Sequence, residues 1–258
     1  VQRPISGYLG RQCIAPQAGE GPSDDIASDP RTGFRRPRLA RPGAGLAAAL
    51  AHADVSRDDR IEAMAARLLD RHPGPLVLAG HSMGGRVAME MARQAPERIR
   101  GMILANTGHD SRKEGEEPKR LAKITLAHED MQRLAAEWLP PMLDPARTGD
   151  IALMGDLTEM VLKMGPEVHE RQIVALLHRP DAKLHLPDVT CPVLLITGAG
   201  DGWSPAQQHH EIAALLPHAE VHVIDDAGHF LPVERPEEMM QVISPWLDAH
   251  VTAGQETT

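Results

Sequence analysis

Aromatic side chains are scarce in this chain of 258 residues: Trp138, Trp203, Trp246, Tyr8, Phe34 and Phe230 make up only 2% of it. Any core must therefore be built from Leu, Ile, Val, Met and Ala. Cysteine is scarcer still, with Cys13 and Cys191 alone. Two thiols are too few for a disulfide scaffold or a zinc cluster, and they read as ordinary thiols of a reducing compartment. Asparagine occurs once, as Asn106. Lysine is outnumbered by arginine, 5 to 22, a bias of GC-rich coding and not of fold. No stretch of about 18 apolar residues exists, so no transmembrane helix is expected. No basic segment followed by an apolar run opens the chain, so no signal peptide is visible. These absences predict a cytoplasmic protein with no membrane partner. Positive charge is in deficit overall, with a net charge of −9, which makes the chain a poor nucleic-acid binder.

What is present is an ordinary globular composition, 42% apolar and 24% charged, at the length of one enzyme-sized domain. The charge is unevenly spread. Residues 1–50 carry seven Arg and four acids, a net of +3, and hold thirteen Gly or Pro. Between residues 18 and 44 the large apolar groups are Ile26, Phe34 and Leu39. Such a segment buries too little surface to offset its ordering entropy.

From residue 54 onward the pattern is regular. Ile61, Met64, Ala65, Leu68 and Leu69 fall at helical spacing and are stopped by His72-Pro73-Gly74-Pro75. Leu76-Val77-Leu78-Ala79 is a continuous apolar run that suits a strand buried on both faces. A helix fits 83–95, with Met83, Val87, Met91 and Ala95 on one face and Pro96 closing it. Met102-Ile103-Leu104-Ala105, Val193-Leu194-Leu195-Ile196 and Val221-His222-Val223-Ile224 read as further strands. Helices fit Pro205–Leu216 and Pro236 to His250. Between residues 110 and 186 no strand is expected, only helical stretches; one carries a stripe of Ile151, Met154, Leu157, Val161 and Met164. Alternating strands and helices predict a parallel α/β sheet, and the helical block reads as an insertion into it.

The most informative string is Gly80-His81-Ser82-Met83-Gly84-Gly85. It matches G-x-S-x-G, and it lies between an expected strand and an expected helix, the setting of a nucleophile elbow. A strand turning abruptly into a helix strains the Ser and crowds its neighbours, so glycines flank it. The N–H of Met83, at the helix start, is placed to stabilise an oxyanion. A serine needs a base, and the base an orienting acid. Asp201 follows the strand ending at Ile196, 119 residues after Ser82, and His229 follows the last strand, 28 residues later. In open α/β sheets, sites lie at such strand ends. Asp110 and Asp226 are the competing acids. His128-Glu129, His169-Glu170 and His210-Glu211 each begin an H-E-x-x-H motif that Gln132, Ile173 and Ala214 fail to complete, so a zinc protease is not expected. His209 and His210 read as a solvated helix face.

These motifs resemble the α/β-hydrolase superfamily, and within it small bacterial esterases and lactonase-like members. Ala95-Pro96-Glu97-Arg98-Ile99, Cys191-Pro192-Val193 before Gly198 and Asp201, and Ala227-Gly228-His229-Phe230 with Glu234 and Pro236 carry the likeness, over residues 54–247. The resemblance implies an α/β-hydrolase fold with a mostly parallel sheet flanked by helices. It makes 54–109 and 187–251 the core, 110–186 a helical cap and 252–258 a polar tail. It implies hydrolysis of a carboxylic ester or lactone of small size by Ser82, His229 and Asp201, with no metal or organic cofactor. His81, Trp138, Met142, Trp203 and Phe230 are the expected substrate pocket. A Ser at the elbow separates the chain from superfamily members that use Asp there. A second oxyanion donor is expected from a loop near the start, and Ile5-Ser6-Gly7-Tyr8-Leu9 offers the Tyr8 amide. Residues 1–53 otherwise depart from the pattern: Asp54 is expected to end a remnant strand, and 18–44 match nothing in the superfamily. That segment reads as a divergent loop, an extension, or the product of a shifted reading frame, and the start at Val1 adds a fragment or an alternative start codon. Three readings stay open: an ester or lactone hydrolase, a cofactor-free perhydrolase or carbon–carbon hydrolase with the same triad, and an inactive protein of this fold lacking half its oxyanion hole.

Overall fold

A computed structural model of the chain describes residues 11–16, as backbone, and 51–252. Their strands form one six-stranded sheet in the order β2-β1-β3-β4-β5-β6. β3 (Leu76–His81), β4 (Ile99–Ala105), β5 (Val193–Gly198) and β6 (Ala219–Ile224) run parallel. β1 (Arg11–Pro16) lies antiparallel between β3 and the short β2 (Ala51–Asp54). The weakly patterned start thus supplies a strand next to the one that leads to Ser82. β2 ends on Asp54, where the family resemblance places an Asp. The backbone N–H and hydroxyl of Ser56 both donate to its carboxylate.

The two faces of the sheet follow from the two-residue period of a strand. Leu76, Leu78, Met102, Leu104, Val193 and Leu195 face one way and pack with α1 (Ile61–Arg71) and α2 (Met83–Gln94). Val77, Ile103, Ala105, Leu194 and Ile196 face the other way, against Ile243 and Trp246 of α9 (Pro236–Leu247). All five apolar positions expected on α1 are buried. Pro96 follows α2 as expected, and the last helix, α-helical over Pro236–Leu247, continues as a π-helical turn over Asp248–Thr252, past the expected end at His250.

Between β4 and β5 the chain forms α3 (Glu116–Glu129), α4 (Met131–Trp138), α5 (Ile151–Met164) and α6 (Pro166–Leu177), with no strand among them. Asp130 and Asp150 cap α4 and α5 by accepting the N–H of Arg133 and Leu153. This helical insertion has its own apolar cluster, in which Leu139, Met142, Leu157 and Met160 surround Phe230 from the core. Of the stripe expected on α5, Leu157 and Val161 are buried and Met154 packs against this cluster, while Ile151 departs from it. Leu153, Leu157, Met160 and Val161 are buried, while Ile151, at the helix start, is 88% exposed. The leucine and methionine face outcompetes the one that begins at Ile151 because it meets α4 and Phe230. α7 (Ala206–Ala213) packs beside β5 and β6, and the single turn α8 (Leu231–Glu234) follows β6.

Candidate active site

Ser82 is the residue after β3 and the N-cap of α2, with φ +54° and ψ −115°. That backbone is strained for a residue with a side chain. It is held by packing and main-chain bonds. The Ser82 N–H donates to the Ala105 carbonyl at 2.9 Å, and its carbonyl accepts from the Thr107 hydroxyl at 2.6 Å and the Gly85 N–H at 3.1 Å. A Cβ on Gly80 would run into the Gly84 carbonyl, so the strand can enter this turn only as glycine. The Met83 N–H opens α2 and has no partner within the helix, as at any helix start.

The Ser82 Oγ lies 2.8 Å from Nε2 of His229, and Nδ1 of His229 lies 2.9 Å from Oδ2 of Asp201. A carboxylate only accepts, so Nδ1 carries the proton and Nε2 is left to accept from the hydroxyl. Asp201 and His229 are almost wholly buried, and Ser82 is half-buried. Every oxygen of the Asp201 carboxylate faces donors. Oδ1 accepts the Trp203 and Ser204 N–H groups, each at 2.8 Å, and Oδ2 accepts His229 and the Asn106 amide, the latter at 2.9 Å. Burial pushes this carboxyl up. The His229 bond and charge, the Asn106 amide and the Ser204 N–H outweigh it and hold the group well below the usual carboxylate range. A hydroxyl bonded to an imidazole that is bonded to an ionised carboxylate is an arrangement that activates an oxygen nucleophile.

The His229 main chain is fixed on both sides. Its N–H donates to the Met142 carbonyl at 2.6 Å, and its carbonyl accepts from Nε2 of His81 at 2.7 Å. Burial, then the charge of His229, pushes the His81 imidazole down to about 3, so it is neutral at ordinary pH. Of the other expected pocket residues, Trp203 and Trp138 follow His229 in a chain of ring contacts. Trp203 is 45% exposed, with its ring centroid 6.1 Å from that of His229. Trp138 is half-buried, 6.4 Å from Trp203 and edge-on to His169 at 5.2 Å. Phe230 and Met142 are buried, packed between core and insertion. Tyr8 lies outside the described residues.

The competing acids are elsewhere. Asp110 is tied to Lys183 and Lys113, and Asp226 is exposed beside Arg235. His209 corrects the sequence reading of a solvated face. It is fully buried, its Nε2 accepting the Thr107 N–H at 3.2 Å and its Nδ1 within 3.1 Å of the Pro205 carbonyl, while neighbouring His210 is exposed. A helix with 3.6 residues per turn sends adjacent residues to different faces, and His209 points inward at the base of the elbow. Asn106 was missed as a site residue, although its being the sole Asn was visible. It sits at φ +48°, a conformation Asn tolerates, and its amide also reaches the Gly228 carbonyl at 3.1 Å. Among the described residues no group of three or more His, Cys, Asp or Glu is placed to hold a metal ion. No helix among them is long and apolar enough to cross a membrane.

A family model described as "Alpha/beta hydrolase family" matches residues 3–242. The chain belongs to the alpha/beta hydrolase family. The match reaches well ahead of Asp54, so membership extends into the N-terminal segment that the sequence reading set outside the resemblance. The chain is 29% identical over 201 residues to a pimeloyl-[acyl-carrier protein] methyl ester esterase of Photobacterium profundum, covering 75% of this chain and 78% of the relative. Among solved structures of alpha/beta hydrolases, a thermophilic esterase from Thermogutta terrifontis superposes with a TM-score of 0.71 at 29% identity, over 78% of this chain and 76% of that one. The enol-lactonase from Burkholderia xenovorans superposes with a TM-score of 0.65 at 21% identity, over 73% of each chain, which shows a shared fold.

Proposed function

We propose that this alpha/beta hydrolase cleaves a carboxylic ester or lactone through an acyl-enzyme, with Ser82 as nucleophile, His229 as base and Asp201 as its orienting acid. The reading is carried by the unbroken relay from the Ser82 Oγ to the Asp201 carboxylate, with links of 2.8 and 2.9 Å. The esterases among its relatives support it. In this reading Ser82 attacks the substrate carbonyl as its proton passes to Nε2 of His229. Asp201 stabilises the imidazolium, and the oxyanion accepts the Met83 N–H. Collapse of the tetrahedral intermediate expels the alcohol, which takes the proton from His229. Water, activated by the same imidazole, then releases the acid and frees Ser82. The exposed Trp203 beside His229, with Trp138 beyond it, gives a small apolar acyl or alcohol group a surface to lie on; His81, Met142 and Phe230 form its support.

The test is Ser82→Ala on a short-chain nitrophenyl ester. We expect a fall in kcat of at least about ten-thousandfold, together with loss of the fluorophosphonate label that the parent takes at Ser82. A variant that hydrolyses the ester as fast as the parent would sink the proposal. A folded parent that takes no label would favour an inactive protein of this fold.

A further inference from the structure

Glu234 is a buried carboxylate, 3% exposed, whose side chain makes no ion pair among the described residues; the nearby Arg147 guanidinium donates to its backbone carbonyl at 3.0 Å. Leaving an acid there is costly unless its oxygens are met by donors. They are met by backbone alone. Oε1 accepts the N–H groups of Gly228 at 3.0 Å and Phe230 at 3.1 Å, the two residues flanking His229. Oε2 accepts the N–H of Asp144 at 2.9 Å, and Asp144 belongs to the helical insertion. Burial pushes the Glu234 carboxyl up, and the three N–H groups, with the charge of Arg147, oppose that. The same stretch of insertion also reaches His229 itself, through the Met142 carbonyl. A Cβ on Gly228 would collide with the backbone of 142–144, so the two segments are seated directly on each other.

We propose that Glu234 is a positioning residue that locks the base to the insertion, so that the seating of residues 142–144 and the alignment of His229 with Ser82 are one equilibrium. The inference rests on the reading of His229 as base. Its consequence is that loosening the insertion at this point slows chemistry before it weakens substrate binding, since a misplaced general base costs rate directly.

Asp144 allows a test that removes its hydrogen bond to Glu234 and sets a proline ring carbon against the Glu234 carboxylate in its place. Its φ is −56°, within the range proline adopts, and Leu143 before it is at φ −87° and ψ 159°, which proline tolerates in a preceding residue. Asp144→Pro therefore deletes the N–H that meets Glu234. Asp144→Ala, which loses the side chain but keeps that N–H, is its reference. We expect Asp144→Pro to lower kcat for a short-chain nitrophenyl ester about tenfold relative to Asp144→Ala, with KM within about twofold. Fluorophosphonate labelling of Ser82 should slow by a similar factor. Glu234→Gln is the second variant. It puts an amide NH2 against an N–H donor on one side or the other, and the same split between kcat and KM is expected relative to the parent. Equal kcat and labelling rates in both comparisons overturn the inference, as does a loss seen only in KM or in thermal midpoint. Failure of the underlying reading looks different, because the parent itself would then take no label at Ser82.

Discussion

The two ends of the candidate site, Ser82 and His229, are held by different means. Ser82 is held mainly by shape, with main-chain bonds beside it: a strained backbone, a glycine that nothing larger can replace, and a helix that starts at once. His229 is held by polar bonds: His81 on its carbonyl, Met142 on its N–H, Asp201 on its ring, and Glu234 on the amides either side. Steric constraints are local and leave a mark in the sequence as glycines at fixed spacing. Polar constraints are assembled from residues far apart in the chain, and each one costs free energy if its partner is lost.

Breaking the polar end at its most loaded point should have the largest effect. In Asp201→Asn the amide NH2 would face N–H donors, since both carboxylate oxygens accept two each. The relief is to flip the His229 tautomer, which points a proton at Ser82. We expect kcat to fall by about a thousandfold or more with the fold intact, measured on the nitrophenyl ester beside circular dichroism. A fall below about tenfold would show that the acid does not set the tautomer.

Breaking the steric end should cost stability before activity. Gly80→Ala places its Cβ against backbone, which cannot move aside as a side chain would. A loss of about 3 kcal/mol or more in urea unfolding, or failure to fold, is expected. A variant within about 1 kcal/mol of the parent would show that the elbow has room to relax.

The smallest effect concerns buried neutral imidazoles. Burial holds His81 down to about 3 and, with the charges of Lys123 and Arg120, holds His169 down to about 4, against an ordinary value of 6.5. Between those values and 6.5 the unfolded chain binds protons that the folded chain refuses. Stability therefore falls as pH falls below about 6.5 and is fully present above it. Each group should contribute about 2 kcal/mol of loss between pH 7 and pH 5. His169→Phe is the way to see one of them, because Nε2 of His169 has no hydrogen-bond partner to forfeit. The difference in unfolding free energy between pH 7 and pH 5 should shrink by about 2 kcal/mol in that variant. An unchanged difference would mean that His169 protonates in the folded state as freely as in the unfolded one.

Much of the fold was legible because strands buried on both faces need continuous apolar runs, and parallel sheets force the strand–helix alternation that 54–109 and 187–251 display. β1 was not legible. Arg11-Gln12-Cys13-Ile14-Ala15-Pro16 has no such run, and its place comes from pairing with β2 and β3. The α5 face was misjudged at Ile151 because several apolar stripes fit one helix, and only the neighbours choose among them. Ser82, Asp201 and His229 could be nominated from strand ends and chain order. Asn106, His209 and Glu234 could not be given their positions by spacing, since a buried polar residue looks in sequence like any exposed one.

By itself, the sequence determined the period of each element, the elbow glycines and the order in which serine, acid and histidine occur. Local sterics and hydrophobic patterning act over a few residues, so they can be read there. Only the tertiary structure decided which donors surround Asp201, which residue faces Glu234, and how the insertion sits on the loop of His229. Those are contacts between segments up to about a hundred residues apart, and their energies depend on burial and geometry that exist only once the sheet has brought its strand ends together.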